Sequence, residues 1–180
     1  MSILIEAFEG LSPIVHPTAF VHSSACLLGD VQLDEEVSVW PTAVLRGDCG
    51  AIRVGARTNI QDGSILHATT GYSQTTLGRE CTVGHRVVLH GCTLGHRVLV
   101  GMGSILLDGV ELGDECFVAA GSVVTPGKKF EARSVLMGSP ARRIRTVTEK
   151  DLAAIENAWK SYLKLKGGYS ARAHFPASSR

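Results

Sequence analysis

An aliphatic residue recurs about every six positions along most of the chain. In the longest run a glycine often follows it, and the aliphatic positions are Leu77, Val83, Leu89, Leu94, Val100, Leu106, Leu112, Val118 and Val124. A helix repeats every 3.6 residues and a strand every 2, whereas a six-residue period is typical of a parallel β-helix, in which each hexad forms one side of a triangular coil. The aliphatic side chain is expected to point into the prism, and the glycine to let the backbone bend at the corner.

Two earlier runs carry the same phase, and together the three runs predict about six coils. Their aliphatic positions are Val15, Val21, Leu27, Leu33, Val39 and Leu45, then Val54, Ile60 and Leu66. We predict an N-terminal strand or cap over residues 1–14, a β-helix over 15–130, an extended connection over 131–147, an α-helix over 148–166, and a loop or disordered tail over 167–180. Thr148 is the expected N-cap of the helix, with Asp151 three residues later as a weak capping box.

Composition narrows the function classes. With 18 basic and 17 acidic residues, the net charge of +1 gives no electrostatic reason to expect nucleic acid or a membrane surface as a partner. The N-terminus has neither a basic region nor a long apolar run, so we expect no signal peptide and no membrane span. The five cysteines show no CxxC spacing and are interpreted as small buried hydrophobes of a cytoplasmic protein.

The phase of the repeat places two histidines together. Leu45, Leu66 and Leu89 open sides that differ by three, so they share one face of the prism. The residue after each of them points outward, which predicts a column of Arg46, His67 and His90. Successive coils are about 4.8 Å apart, a separation that suits two imidazole ligands of one metal ion. A purely structural polar ladder is the alternative interpretation.

His85 falls on a different face. It lies two residues after Val83, so it is expected to stack over Asp62, around a corner from His67 and His90. Within one chain it cannot complete their metal site, but across a threefold interface it can. The phase therefore indicates a metal site shared by two chains of a cyclic trimer. Arg46, Asp48 and Asp62 also have a simple interpretation as interface ion pairs, and the remaining histidines are expected to be solvated: His16, His22, His96 and His174.

Three motifs resemble the gamma-class carbonic anhydrases, within the hexapeptide-repeat superfamily. They are RGDxxxI from Arg46, GxRTNIQDGSxxH from Gly55 and VGHxxxLHGCTLG from Val83. The chain is most similar to the bacterial branch described as carbonic anhydrase-like or ferripyochelin-binding proteins, over about residues 10–165. The resemblance implies a left-handed β-helix, a homotrimer, and reversible hydration of carbon dioxide to bicarbonate by zinc-activated hydroxide, with iron or cobalt as other possible metals.

The resemblance also implies roles for individual residues. The metal ligands would be His67 and His90 of one chain and His85 of the next. Arg46 and Asp48 would pair across the interface with Asp62, Gln61 would orient the hydroxide, and Tyr162 would lie near the site.

Two departures put the rate of this reaction in doubt. Cys49 stands where the best-studied members carry a glutamate, and the loop of residues 68–76 has no carboxylate to export a proton. Slow or absent turnover is therefore expected. Two other functions stay open: an acyl-CoA-dependent acyltransferase, since residues 138–145 read GSPARRIR as such enzymes do, and a metal-binding trimer without catalysis.

Overall fold

The computed structural model describes the backbone of residues 4–172 and the side chains of residues 4–169. It contains twenty strands, most of them two or three residues long, and one helix, α1, at Glu149–Arg172. The strands are β1 Leu4–Glu6, β2 Ile14–Val15, β3 Phe20–Val21, β4 Cys26–Leu33, β5 Ser38–Val39, β6 Val44–Val54, β7 Asn59–Ile60, β8 Ile65–His67, β9 Thr75–Leu77, β10 Thr82–Val83, β11 Val88–His90, β12 Thr93–Leu94, β13 Leu99–Val100, β14 Ile105–Leu106, β15 Glu111–Leu112, β16 Phe117–Val118, β17 Val123–Val124, β18 Lys129–Phe130, β19 Ser134–Gly138 and β20 Ala141–Thr146.

The strands stack in parallel into the three faces of a left-handed β-helix. The first face contains β1, the N-terminal parts of β4 and β6, and then β8, β11, β14 and β17. The second contains β2, the C-terminal parts of β4 and β6, and then β9, β12, β15 and β18. The third contains β3, β5, β7, β10, β13, β16 and β19. Each face therefore has about one strand for each of about seven turns.

The predicted fold is confirmed, and the β-helix is longer than the predicted residues 15–130. β1 pairs in parallel with β4, so residues 4–6 form the first rung of the first face. β19 pairs in parallel with β16, so part of the predicted extended connection continues the third face before β20 turns back antiparallel. A longer excursion, between Ile5 and Val15, hides β1 from the six-residue period. β19 keeps the period, because Phe130 and Leu136 follow Val124 in steps of six, but Pro126, Gly127 and the polar residues after them indicate an end of the repeat in the sequence.

The glycines that follow the aliphatic positions serve a purpose other than the predicted one. Gly84 does not have a positive φ; instead, a Cβ atom there would lie 2.8 Å from the backbone nitrogen of Met102 on the next coil. The left-handed corner conformation falls two residues later, at Arg86 with φ of 56°. Close approach of successive coils, rather than bending, therefore requires glycine at this position.

Helix α1 packs on the third face, where it contacts β5, β7 and β10. The predicted cap is confirmed, because Thr148 N donates to Asp151 Oδ2 at 2.8 Å and Asp151 N donates to Thr148 Oγ1 at 3.4 Å. The predicted end at residue 166 is wrong, since the helix continues to Arg172.

Packing explains the longer helix. The ring of Tyr169 lies 5.3 Å from that of Trp40, and Lys166 Nζ lies 2.6 Å from Glu36 Oε2, so the last turns are held against the first coils despite two glycines. Residues 173–180 of the predicted tail lie outside the described residues.

The interior of the prism consists of stacked aliphatic side chains. The stability of the fold therefore depends on these side chains filling the interior without cavities. Leu94 is 2% exposed, whereas the adjacent Thr93 points outward and is exposed. We expect Leu94→Ala to lower the free energy of unfolding by about 2–5 kcal/mol, because it removes buried methyl groups and leaves a cavity. Chemical denaturation at one fixed protein concentration measures this loss. Thr93→Ala is the matched control and should change the value by less than about 0.5 kcal/mol; equal losses in both variants would contradict the inward placement.

Candidate metal centre

The predicted column of imidazoles is present on the first face. His67 ends β8 and His90 ends β11, and the two residues are paired directly across the parallel ladder. His67 Nδ1 lies 3.2 Å from His90 Nε2. Arg46 precedes them in register, because Leu45 pairs with Leu66 one residue earlier. The repeat phase read from the sequence thus located this group.

In each of the two imidazoles, the ring nitrogen that does not face the other histidine lies within hydrogen-bond distance of a carboxylate. His67 Nε2 lies 3.1 Å from Asp48 Oδ1, and His90 Nδ1 lies 3.0 Å from Asp108 Oδ2. A carboxylate that accepts the N–H of one ring nitrogen directs the lone pair of the other nitrogen outward, which is the usual arrangement of histidines that bind metals. In this arrangement the two facing nitrogens both present lone pairs and need a cation between them.

The donor set fits a tetrahedral zinc ion. With metal–nitrogen distances of about 2.0–2.1 Å, two ligand nitrogens of such a site are about 3.3–3.4 Å apart, close to the 3.2 Å between the facing nitrogens of His67 and His90. Burial lowers the pKa of His67, although the hydrogen bond to Asp48 opposes this. A neutral imidazole is the form that binds a metal ion.

His85 lies in the turn between β10 and β11, just before β11 begins. It is therefore at the edge of the first face opposite to the edge that carries His67 and His90. As predicted, it stacks on Asp62: His85 Nδ1 lies 2.9 Å from Asp62 Oδ2. Its Nε2 is 3.5 Å from the hydroxyl of Tyr162 on helix α1. Burial, with a further contribution from Asp62, raises the pKa of Tyr162, so its phenol stays protonated and able to donate a hydrogen bond. The third predicted ligand therefore has a carboxylate partner of its own.

The other predicted site residues fall into two groups. Arg46 donates to both oxygens of Asp48 in the same chain, at 2.9 and 2.7 Å. Burial alone would raise the pKa of Asp48, but the hydrogen bonds from Arg46 and His67 outweigh it and lower the pKa to about 2. Gln61 is buried and donates to Asn59 Oδ1 at 3.1 Å, on the edge that carries His85.

Asp108 was missed by the sequence reasoning. Besides His90, it accepts hydrogen bonds from the hydroxyls of Ser73 and Thr69, which belong to the polar loop of residues 68–76. Burial would raise the pKa of Asp108, but the hydrogen bonds from Ser73 and His90 lower it overall. The signal was available: Leu106 is the next residue of the ladder after Leu89, and Asp108 follows it by two positions.

Comparison with known proteins agrees with this architecture. Residues 91–126 match the family described as bacterial transferase hexapeptide (six repeats). The carnitine operon protein CaiE of Escherichia coli strain K12 is 47% identical over 163 residues, which are 89% of this chain and 82% of that protein. The fold and the repeat therefore define a hexapeptide-repeat protein.

Solved structures extend the comparison. A hexapeptide transferase family protein from Anaplasma phagocytophilum is 37% identical with a TM-score of 0.88, and the match covers 92% of this chain and 98% of that one. A Bacillus cereus protein proposed to be an acetyltransferase is 35% identical with a TM-score of 0.91, over 95% of this chain and 99% of that one. The chain belongs to the hexapeptide transferase family that includes CaiE. Within residues 4–172, helix α1 does not combine the length and the apolar character needed to cross a membrane.

Proposed function

We propose that the protein is a metal-dependent hydratase of carbon dioxide that forms bicarbonate at sites shared between the chains of a homotrimer. One observation carries the proposal: each of the three predicted ligand histidines has a carboxylate on one ring nitrogen, at 2.9–3.1 Å. Three such pairs are expected of a three-histidine metal centre, whereas a structural polar ladder does not need an acid for every imidazole.

The outward side chains of the three faces support the trimer. After Ile14 in its first strand, the second face presents a polar column: Gln32, Arg53, Thr76, Thr93, Glu111 and Lys129. Helix α1 packs on the third face at β5, β7 and β10. The first face is uncovered in the chain and presents an apolar column: Cys26, Val44, Ile65, Val88, Ile105 and Val123. Burial of this column between chains removes apolar surface from water.

The same face explains how the ligands would meet. His67 and His90 lie at one edge of the first face, and His85 lies at the other. In a cyclic trimer, contacts are head-to-tail, so one edge of each chain meets the opposite edge of its neighbour. We therefore assign His67 and His90 of one chain and His85 of the next to one ion, with zinc as the metal and iron or cobalt as other candidates.

When bound, zinc lowers the pKa of a coordinated water to about 7, which supplies a nucleophile at neutral pH. The chain's own residues prepare the site for it. Asp48, Asp62 and Asp108 fix the orientation of the three imidazoles through their N–H groups. The side chain of Arg46 is 41% exposed. It pairs with Asp48 through Nη1, and its other N–H groups can donate hydrogen bonds to an anionic product.

Proton release is expected to limit the rate of this reaction. Cys49 stands in the place of a glutamate and supplies no carboxylate that could accept a proton. The loop of residues 68–76 contains no carboxylate either. Asp108 contacts that loop, but its lowered pKa keeps it ionised at neutral pH. An effective proton carrier needs a pKa near the working pH, so Asp108 does not meet this requirement. We therefore propose a slow hydratase.

Metal removal tests the function. The purified protein should contain about one zinc per chain, and stopped-flow assays should detect carbon dioxide hydration that a chelator removes and added zinc restores. A higher buffer concentration should raise the rate, because buffer replaces the missing proton acceptor. A zinc-loaded trimer that shows no hydration at any pH or buffer concentration would contradict catalysis and leave a metal-binding protein.

Acyl transfer from acyl-CoA is the second candidate, because the family name and the Bacillus cereus relative refer to transferases. The pair of Asp62 and His85 could serve as a general base for that reaction without any metal. Turnover of acetyl-CoA that is unaffected by chelation would favour this function. Loss of both metal and activity on chelation favours the hydratase.

A further inference from the structure

Cys49 lies beside the candidate centre, and the function proposed above does not use it. One ligand atom each from Asp48, Cys49 and His67 lies within 4.8 Å of the other two. Within residues 4–172 this is the one such group of three among histidine, cysteine and acidic side chains of a single chain. A thiol, a carboxylate and an imidazole are together a common donor set for soft divalent metals.

The geometry between two of the donors already suits a cation. Asp48 Oδ1 and His67 Nε2 are 3.1 Å apart, close to the separation of about 3.3 Å between two light-atom ligands of a tetrahedral ion. For a cation to bind at this point, the ring proton of neutral His67 moves from Nε2 to Nδ1, so that Nε2 presents its lone pair to the ion. Arg46 can remain on the other carboxylate oxygen, Oδ2, at 2.7 Å.

The thiol is accessible to a metal ion. Cys49 is half-buried and lines an open groove with residues 50–51 and 71–74, whereas Cys81, Cys92 and Cys116 are buried in the prism. Cys49 connects this groove with His67, because their ligand atoms lie within 4.8 Å of each other. Cys26 is also half-buried, but it does not belong to the group of three donors.

We propose that Asp48, Cys49 and His67 of one chain form a second metal site, selective for thiophilic divalent cations such as cadmium. On binding, the thiol releases its proton to solvent and the thiolate sulfur coordinates the ion. The site lies within one protomer and needs no residue of a neighbour. Because a neutral imidazole has one lone pair to give, His67 serves either this site or the three-histidine centre, so a thiophilic metal competes with zinc. Only this competition rests on the proposed function.

Cadmium titration of the metal-free protein tests the site. The probe is the ultraviolet charge-transfer band of a cadmium–thiolate bond, which three imidazoles cannot produce. We expect the equivalent of one such bond per chain in the wild type and in His85→Ala, and loss of the band in Cys49→Ser. Cys26→Ser is the matched control and should keep the band. A band that persists in Cys49→Ser, or that is absent from the wild type, overturns the proposal.

A second arm examines the shared ligand. His67→Ala should weaken cadmium binding at Cys49 at least tenfold, as expected for the loss of one ligand, whereas His90→Ala should not weaken it, because it removes a ligand of the competing centre and none of the cadmium site. Equal effects of the two substitutions would remove His67 from the site. Because the thiolate band reports cadmium directly, the cadmium site and the three-histidine zinc centre can fail or succeed independently.

Discussion

Trimers that mix His67→Ala and His85→Ala chains should regain metal that neither variant retains alone. Each centre is proposed to take His67 from one chain and His85 from the next, so a variant trimer lacks one ligand at all three sites. In a mixed trimer, one interface combines an intact His67 with an intact His85. Random assembly of equal amounts should therefore restore about one quarter of the wild-type zinc and hydration activity. Metal analysis after co-expression with two different affinity tags measures the recovery.

The matched control mixes His67→Ala with His90→Ala. These two ligands are proposed to come from the same chain, so no interface of such a mixture contains a complete set and recovery should stay near zero. Zinc retained fully by His85→Ala alone would remove that residue from the centre. Equal recovery in both mixtures would contradict the assignment of His67 and His90 to one chain.

Much of this geometry could be predicted because the β-helix has a fixed period. Once the aliphatic positions are numbered, Leu45, Leu66 and Leu89 fall on one ladder, and the register confirms each pairing. The position of every outward side chain follows from that of its inward neighbour. For this reason the sequence located His67 beside His90 and placed His85 over Asp62 without any tertiary information.

The remaining features depend on contacts that the period does not encode. The period places Asp108 near the ladder of His90, but it does not predict the hydrogen bonds by which Asp108 connects His90 with Ser73 and Thr69 of the irregular loop. A Cβ atom at Gly91 would lie 2.0 Å from Asp108 Oδ1, so the same contact explains that glycine.

The end of helix α1 was missed for a related reason. Two consecutive glycines argue locally against a helix, yet Tyr169 packs beyond them against Phe20 and Trp40. Tertiary packing outweighed local propensity there.

Replacing Ile65 with glutamate should dissociate the trimer and empty the metal centre. Ile65 is 43% exposed in the single chain and lies in the middle of the apolar column of the first face. A threefold contact through this face would bury a carboxylate in each chain without a partner, which costs several kcal/mol per interface. Light scattering should give the mass of one chain instead of three, and zinc should be lost, because no neighbour then supplies His85.

The substitution leaves the prism itself intact, since the side chain of Ile65 points away from the core. Circular dichroism should therefore match the wild type, which separates dissociation from unfolding. Thr93→Glu places the same charge on the polar second face and should preserve both the trimer and its zinc. If Ile65→Glu remained trimeric and zinc-loaded, the first face would not be the contact between chains, and the path by which His85 reaches the other two histidines would have to be different.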